Sequence, residues 1–187
     1  MDGTNMKEPG QYESMETPAE ERCPPAPSIL FQDDRLVVID KPAGLLVHRT
    51  AIDARETRFA VQWVRDHIGA RVYPAHRLDK PTSGVLVFAR DPEALKLPMT
   101  QFAEAQTRKR YLAVVRGYLE PEGTIQHALK PEATRRRGEN KPTRAQPAVT
   151  RFRRLHQWEI PEPVGPYSTA RYSLAETFPE TGRRHQI

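Results

Sequence analysis

Short apolar segments separated by polar turns most constrain what this chain can fold into. Residues 29–31 and 36–39 flank four polar residues, a pattern that predicts a β-hairpin. Further segments of five to seven residues, rich in β-branched and aromatic side chains, predict additional strands. These segments are residues 85–89, 111–115, 148–152 and 172–178. All of them are much shorter than the roughly 20 apolar residues that cross a bilayer, so we expect no membrane-spanning segment.

Two helices are predicted between these strands. The first covers residues 57–68, where apolar side chains recur at helical spacing between a Thr57 N-cap and Gly69. The second begins after Asp91, a capping residue that is followed by a proline. Pro98 is expected to kink or split this helix, because proline has no N–H to donate. Short strands outnumber helices, so the predicted fold class is α+β, with a mostly antiparallel mixed sheet flanked by helices and loops.

Charge is distributed unevenly along the chain. Residues 1–28 contain two basic residues, six acidic residues and five prolines, a composition that predicts a disordered acidic tail. The net charge of this tail is −4, so residues 29–187 carry +9 in a chain whose total is +5. A domain this basic indicates an anionic partner such as nucleic acid, or else a well-solvated surface. The single cysteine, Cys23, excludes an intramolecular disulfide framework.

Residues 130–147 form a second polar segment, with six basic residues and three prolines, and we predict a basic loop there. Its central residues are candidate contacts to a nucleic-acid backbone, and the alternative is a solvated insert. They are Arg135, Arg136 and Arg137.

The N-terminus lacks the apolar core of a secretory signal, so we expect a cytoplasmic protein. We also expect the protein to be a monomer.

The segment richest in side chains that could act in catalysis is residues 75–84, AHRLDKPTSG, directly before a predicted strand. A hydrolase triad of Ser83, His76 and Asp79 is disfavoured, because all three lie on one short loop and no G-x-S-x-G motif occurs. A metal site formed by His76, Asp79 and His185 is disfavoured, because the histidines are scattered and no two of them have the H-x-x-x-H spacing of metal ligands on a helix. The third possibility is that Asp79 acts as a carboxylate nucleophile, held ionised by an arginine.

Four motifs favour this third possibility, because together they resemble the signature of the RluA-type family of RNA pseudouridine synthases. They are DKPAGLLVH at 40–48, HRLDKPTSG at 76–84, KRYLAVVRG at 109–117 and TGRRHQI at 181–187. They follow one another in the family's order, and the resemblance covers residues 29–187. Within the family, the chain is most similar to the branch that modifies uridine 65 of tRNA.

The resemblance implies isomerisation of uridine to pseudouridine in tRNA, or the same chemistry on ribosomal RNA, with no cofactor and no metal. It implies that Asp79 is the nucleophile and that Arg183, from the TGR motif, is the partner that keeps Asp79 ionised. The family pattern continues beyond the last motif, so the catalytic domain at 29–187 is expected to lack its C-terminal part. The alternative is a truncated RNA-binding remnant without catalytic activity.

Five further residues receive roles from the same resemblance. Tyr111 corresponds to the tyrosine that stacks on the target base, and Arg77 to the residue that fills the space left by the flipped nucleotide. Ile187 is expected to line the base pocket. His76 and Lys109 are expected to support the site rather than to react.

Overall fold

The computed structural model of the chain describes residues 24–49, 56–130 and 144–187. Residues 1–23, which form most of the predicted acidic tail, lie outside the described residues. The centre of the predicted basic loop also lies outside them, together with its three candidate contact residues, Arg135, Arg136 and Arg137.

The first sheet begins with the predicted hairpin, which is confirmed. Strand β1 (Ser28–Gln32) pairs antiparallel with β2 (Leu36–Lys41). The carboxylate of Asp33 closes the turn, since its Oδ1 accepts hydrogen bonds from the N–H groups of Arg35 at 2.7 Å and Leu36 at 2.6 Å. A short polar side chain that bonds to the backbone two or three residues later is a common turn device.

Two more strands complete this sheet and form its core. The two-residue strand β3 (Tyr73–Pro74) and β4 (Gly84–Ala89) pair antiparallel, and the sheet order is β1-β2-β4-β3. Alternate side chains of β2 and β4 are completely buried, because successive residues of a strand point to opposite faces. The core cluster consists of Val37, Ile39, Leu45, Val47, Ala60, Val64, Val72, Leu78, Leu86 and Phe88.

Helix α1 (Ala60–Ile68) packs against this sheet but begins later than predicted. Thr57 does not cap it; the N-cap is Phe59, whose side chain is buried and makes no capping hydrogen bond. The N–H of Ala60 donates instead to the carbonyl of Leu46 at 2.8 Å. The loop before the helix therefore satisfies a helix N–H group that a threonine cap would otherwise have bonded.

The other helix signals behave as predicted, with one exception. Gly69 ends α1 in the left-handed conformation, with φ at +71°. Helix α2 (Pro92–Ala103) is capped by Asp91, whose side chain accepts the N–H of Ala94 at 2.7 Å. The helix is not split at Pro98 and continues to Ala103, although proline has no N–H to donate within it. No helix within the described ranges is long and apolar enough to cross a membrane.

The second sheet follows α2 and contains four antiparallel strands in the order β5-β8-β7-β6. The strands are β5 (Tyr111–Arg116), β6 (Glu122–Gln126), β7 (Val149–Ile160) and β8 (Ala170–Pro179). Strand β6 was not predicted, and β7 is longer than predicted. A Cβ atom at Gly123 would lie only 2.8 Å from the ring of Phe152, so a larger residue at this position of β6 would require that ring to move. The α+β class is confirmed, with the strands divided between two sheets.

Candidate active site

The loop between β3 and β4, residues 75–83, is fixed by two anchors. Nε2 of His76 accepts the backbone N–H of Val87 at 3.2 Å, and its ring lies 4.5 Å from the ring of Phe102. Burial lowers the pKa of His76, which keeps the ring neutral and able to accept this bond. Leu78 is buried in the core of the first sheet. The residues on either side of Arg77 are thus held in place.

Lys41 is a third anchor, and sequence analysis assigned it no individual role. Its side chain is completely buried, and Nζ donates to the carbonyls of Pro42 at 2.9 Å, Leu45 at 2.7 Å and Lys80 at 3.4 Å. Burial lowers the pKa of Lys41 to about 8, against the opposing effect of the negative charge on Asp79. The alternation of β2, which places this position on the buried face, is the sequence signal that could have revealed it.

Asp79 receives hydrogen bonds from two parts of the chain. The backbone N–H of His185 donates to its Oδ2 at 3.1 Å, and the backbone N–H of Thr82 donates to its main-chain carbonyl at 3.0 Å. The guanidinium of Arg77 lies 3.7 Å from Oδ1. The Asp79 side chain is only 20% exposed, so these donors face a carboxylate with limited access to water.

Arg183 does not make the contact that was predicted for it. Its Nε donates to the carbonyl of Pro147 at 3.0 Å, whereas Arg77 lies within ion-pair distance of Asp79. The reason is geometric: the turn that follows β8 presents a backbone N–H group to Asp79 and directs the Arg183 side chain toward Pro147, just before β7.

The start of β5 brings two more predicted residues to the same place. Tyr111 is half-buried against the core of the first sheet, and its pKa is raised by burial and by the charge of Asp79. Nζ of Lys109 donates to the carbonyl of Thr181 at 2.9 Å, and burial lowers its pKa. Lys109 therefore ties the entry of β5 to the turn after β8.

These groups surround a cavity of about 810 Å³ between the two sheets. All seven residues that were predicted for the site and lie in the described ranges line it. They are His76, Arg77, Asp79, Lys109, Tyr111, Arg183 and Ile187. One wall comes from the loop before β4, and the other from the start of β5 and the turn after β8. The volume is that of a site for a small molecule or a single nucleotide.

The lining of the cavity is strongly basic. Its cationic side chains are those of Arg77, Arg108, Lys109, Arg110, Arg183 and Arg184, and its acidic side chain is that of Asp79. Such a surface attracts an anionic substrate and places one carboxylate within it. In the part of the chain that the structure describes, no three His, Cys, Asp or Glu side chains are grouped to hold a metal ion.

The fold and the cavity define a protein with a basic cavity that contains one carboxylate. Residues 35–187 match the family model described as RNA pseudouridylate synthase. The match covers most of the chain and includes both walls of the cavity, so the chain belongs to the RNA pseudouridylate synthase family.

Three similar curated proteins carry the same name. The tRNA pseudouridine synthase C of Haemophilus ducreyi is 47% identical over 160 residues, which cover 85% of this chain and 66% of the relative. The protein of the same name from Vibrio parahaemolyticus is 46% identical over 161 residues, covering 85% and 65%. That of Pectobacterium carotovorum is 48% identical over 161 residues, covering 85% and 43%. The chain thus spans less than two thirds of the length of these relatives.

Solved structures show the same fold. Human RNA Pseudouridylate Synthase Domain Containing 1 superposes with a TM-score of 0.63 at 25% identity, covering 86% of this chain and 62% of the human chain. Human RNA Pseudouridylate Synthase Domain Containing 4 gives 0.57 at 29% identity, covering 84% and 60%.

Proposed function

We propose that this chain isomerises uridine 65 of tRNA to pseudouridine, with Asp79 as the nucleophile. The observation that carries the proposal is the position of the Asp79 carboxylate in a basic cavity. It accepts a hydrogen bond from a backbone N–H and lies within ion-pair distance of an arginine. The names of the relatives support tRNA as the substrate. Family membership supports the reaction.

The chemistry requires a well-placed carboxylate and no net redox change. The N1–C1′ bond of uridine breaks, the uracil turns, and C5 joins C1′; C5 loses a proton and N1 gains one. A carboxylate serves either by attacking C1′ to form an ester that C5 then displaces, or by removing the proton from C2′ to form a glycal and returning it when C5 joins C1′. In both routes, the N–H of His185 and the guanidinium of Arg77 hold the orientation of Asp79 and stabilise its negative charge.

Two residues next to Asp79 have proposed roles in handling the target base. Tyr111 presents an aromatic ring in the cavity, and its proposed role is to stack on the uracil while it turns. The target nucleotide must leave its stack at a cost of a few kcal/mol. The side chain of Arg77 is 50% exposed beside Asp79, a position that supports insertion of its guanidinium plane into the vacated space.

Three other residues complete the proposed site. Arg183, on the rim, has the proposed role of contacting a phosphate, since its bond to the Pro147 carbonyl uses only one of its five donors. Ile187 supplies an apolar side chain to the cavity. Lys109 and His76 hold backbone segments and are supporting residues in this proposal.

The proposal extends to the state of the enzyme in the cell. The seven predicted site residues in the described ranges meet in one cavity of the chain, which supports activity as a monomer. A tRNA substrate supports a cytoplasmic location. Light scattering coupled to size-exclusion chromatography should give one copy of the 21.4 kDa chain, and a dimer mass would overturn the monomer.

The experiment that tests the function is mapping of pseudouridine in defined RNA. An unmodified tRNA transcript is incubated with the chain, and pseudouridine is located by carbodiimide modification and primer extension. We expect one new site at uridine 65, and none in a matched transcript with cytidine at that position. Modification of a ribosomal RNA transcript alone would favour the alternative substrate. Tight binding with no pseudouridine in either RNA would favour a non-catalytic RNA-binding protein.

A further inference from the structure

The side-chain amide of Gln186 is fully hydrogen-bonded within the protein. Its Oε1 accepts the hydroxyl of Thr181 at 2.8 Å and the backbone N–H of Arg183 at 2.9 Å. Its Nε2 donates to the carbonyl of Val149 at 3.0 Å and to Oγ1 of Thr150 at 3.0 Å. A glutamine amide has two acceptor sites and two donor hydrogens, and all four are used here. The amide lines the cavity but has no hydrogen-bonding position left for a substrate.

These bonds fix a turn whose backbone is unusual. His185, the residue before Gln186, has φ at +56°, a conformation that residues other than glycine rarely adopt. In this conformation its N–H points away from the turn and donates to Oδ2 of Asp79. A conformation of this kind persists only where its surroundings hold it in place. The hydrogen bonds of Gln186 keep the turn in this conformation, because its amide joins the turn to the first two residues of β7.

Thr181 is the second member of the same device. Its hydroxyl accepts the backbone N–H of Val149 at 3.0 Å and donates to Oε1 of Gln186. The orientation of the amide is fixed by the backbone N–H of Arg183, which can only donate to Oε1, and by the carbonyl of Val149, which can only accept from Nε2. Each end of the turn is thus tied to the start of β7.

We propose that Gln186 is a positioning residue, which acts with Thr181 to hold the His185 N–H against the carboxylate of Asp79. The inference rests on the proposed function, because it assigns Asp79 the reacting role. It predicts an effect on the chemical step rather than on RNA affinity, since the donor hydrogens of both side chains are already used within the protein. Misplacement of a reacting group by about 1 Å costs on the order of 10²-fold in rate.

The test uses isosteric variants. Gln186→Met keeps the shape of the side chain and removes all four hydrogen bonds. Thr181→Val removes the hydroxyl, and Thr181→Ser is the conservative variant that keeps it. The matched control is Gln157→Met on β7, away from the cavity lining. It removes a glutamine hydrogen bond to the carbonyl of Leu119, in the loop between β5 and β6.

Single-turnover rates at saturating tRNA and dissociation constants for tRNA are measured for each variant. We expect Gln186→Met and Thr181→Val each to lower the rate by about 10- to 100-fold, with less than about a threefold change in affinity. Thr181→Ser and Gln157→Met should stay within about threefold of the unmutated rate. The double variant should be no slower than the worse single variant, because both act through one turn. An unchanged rate in Gln186→Met, or a loss confined to affinity, would overturn the inference.

A readout that does not need activity separates this inference from the proposed function. Hydrogen exchange of the His185 amide, followed by NMR, reports its bond to Asp79 directly. Gln186→Met should increase the exchange rate of this amide by at least about tenfold, while Gln157→Met should not change it. Equal protection in Gln186→Met would overturn the positioning role whatever the activity. An inactive unmutated chain with the expected exchange pattern would overturn the proposed function alone.

Discussion

The backbone N–H of His185 donates a 3.1 Å hydrogen bond to Oδ2 of Asp79, a residue 106 positions earlier in the chain. The bond joins the loop before β4, in the first sheet, to the turn after β8, in the second. The environment of the proposed nucleophile is therefore assembled from both sheets.

Tyr111 should contribute through its aromatic face. We expect Tyr111→Phe to keep the single-turnover rate within about fivefold of the unmutated chain, because the ring is retained. Tyr111→Leu should lower it by about 10- to 100-fold, in line with the 1–3 kcal/mol that base–aromatic stacking contributes. The measurement is the single-turnover rate at saturating tRNA. Equal rates for the two variants would exclude the stacking role.

Lys41 should contribute to stability through its buried hydrogen bonds. Lys41→Met removes three contacts to backbone carbonyls, and among the described residues only the Lys80 carbonyl has a further donor, the N–H of Gly44, so the free energy of unfolding should fall by about 2–4 kcal/mol. The matched control is Lys96→Met in α2, whose side chain is 71% exposed and which should change stability by less than about 0.5 kcal/mol. Urea unfolding measures both, and similar values for the two variants would contradict the prediction.

His76 should make the protein less stable as the pH falls. Burial lowers its pKa from the ordinary value of 6.5, as it does for His48, whose pKa the charge of Arg77 lowers further. Below pH 6.5 the unfolded chain therefore binds more protons than the folded chain, and the free energy of unfolding declines as the pH drops through the folded pKa. His76→Gln removes one of these groups and should make the decline between pH 7 and pH 5 shallower. Urea unfolding at several pH values checks this, and an unchanged slope would refute it.

The basic loop should contribute to RNA affinity and not to chemistry. Replacing Arg135, Arg136 and Arg137 together with glutamine should weaken tRNA binding and reduce the salt slope of log K by about 2–3. The single-turnover rate at saturating tRNA should not change. The matched control is Arg65→Gln on α1, outside the cavity lining, which should leave the salt slope as it is. Filter binding over a salt series measures the slope. An unaltered slope in the triple variant would refute the predicted contact between these arginines and the tRNA backbone.

Local sequence signals predicted those elements of the fold whose causes are local. The hairpin of β1 and β2 depends on an Asp33 turn between apolar segments, and α2 on a cap at Asp91, and both were found as predicted. The start of α1 was misplaced because the partner of the Ala60 N–H is the carbonyl of Leu46, a loop residue that local propensity does not include. Strand β6 was missed because Gly123 breaks the apolar pattern, and its close approach to Phe152 is a tertiary requirement.

The composition of the site was predicted by resemblance to a family, while its contacts were not. The residues expected around Asp79 do line one cavity with it. The sequence could not indicate that Arg77, rather than Arg183, lies within ion-pair distance of the carboxylate, because that depends on how the turn after β8 is held. The backbone N–H of His185 was beyond sequence analysis for the same reason, since a main-chain group leaves no signal in residue type.

The central claim is that Asp79 drives pseudouridine formation, and release of tritium from tRNA labelled at C5 of uridine tests it most directly. The comparison is between the unmutated chain and Asp79→Asn, which keeps the shape of the side chain and removes its charge. We predict release by the unmutated chain and a loss of at least about 10³-fold in the variant, with tRNA affinity retained. Release by Asp79→Asn at the unmutated rate, or no release by the folded unmutated chain, would contradict the claim.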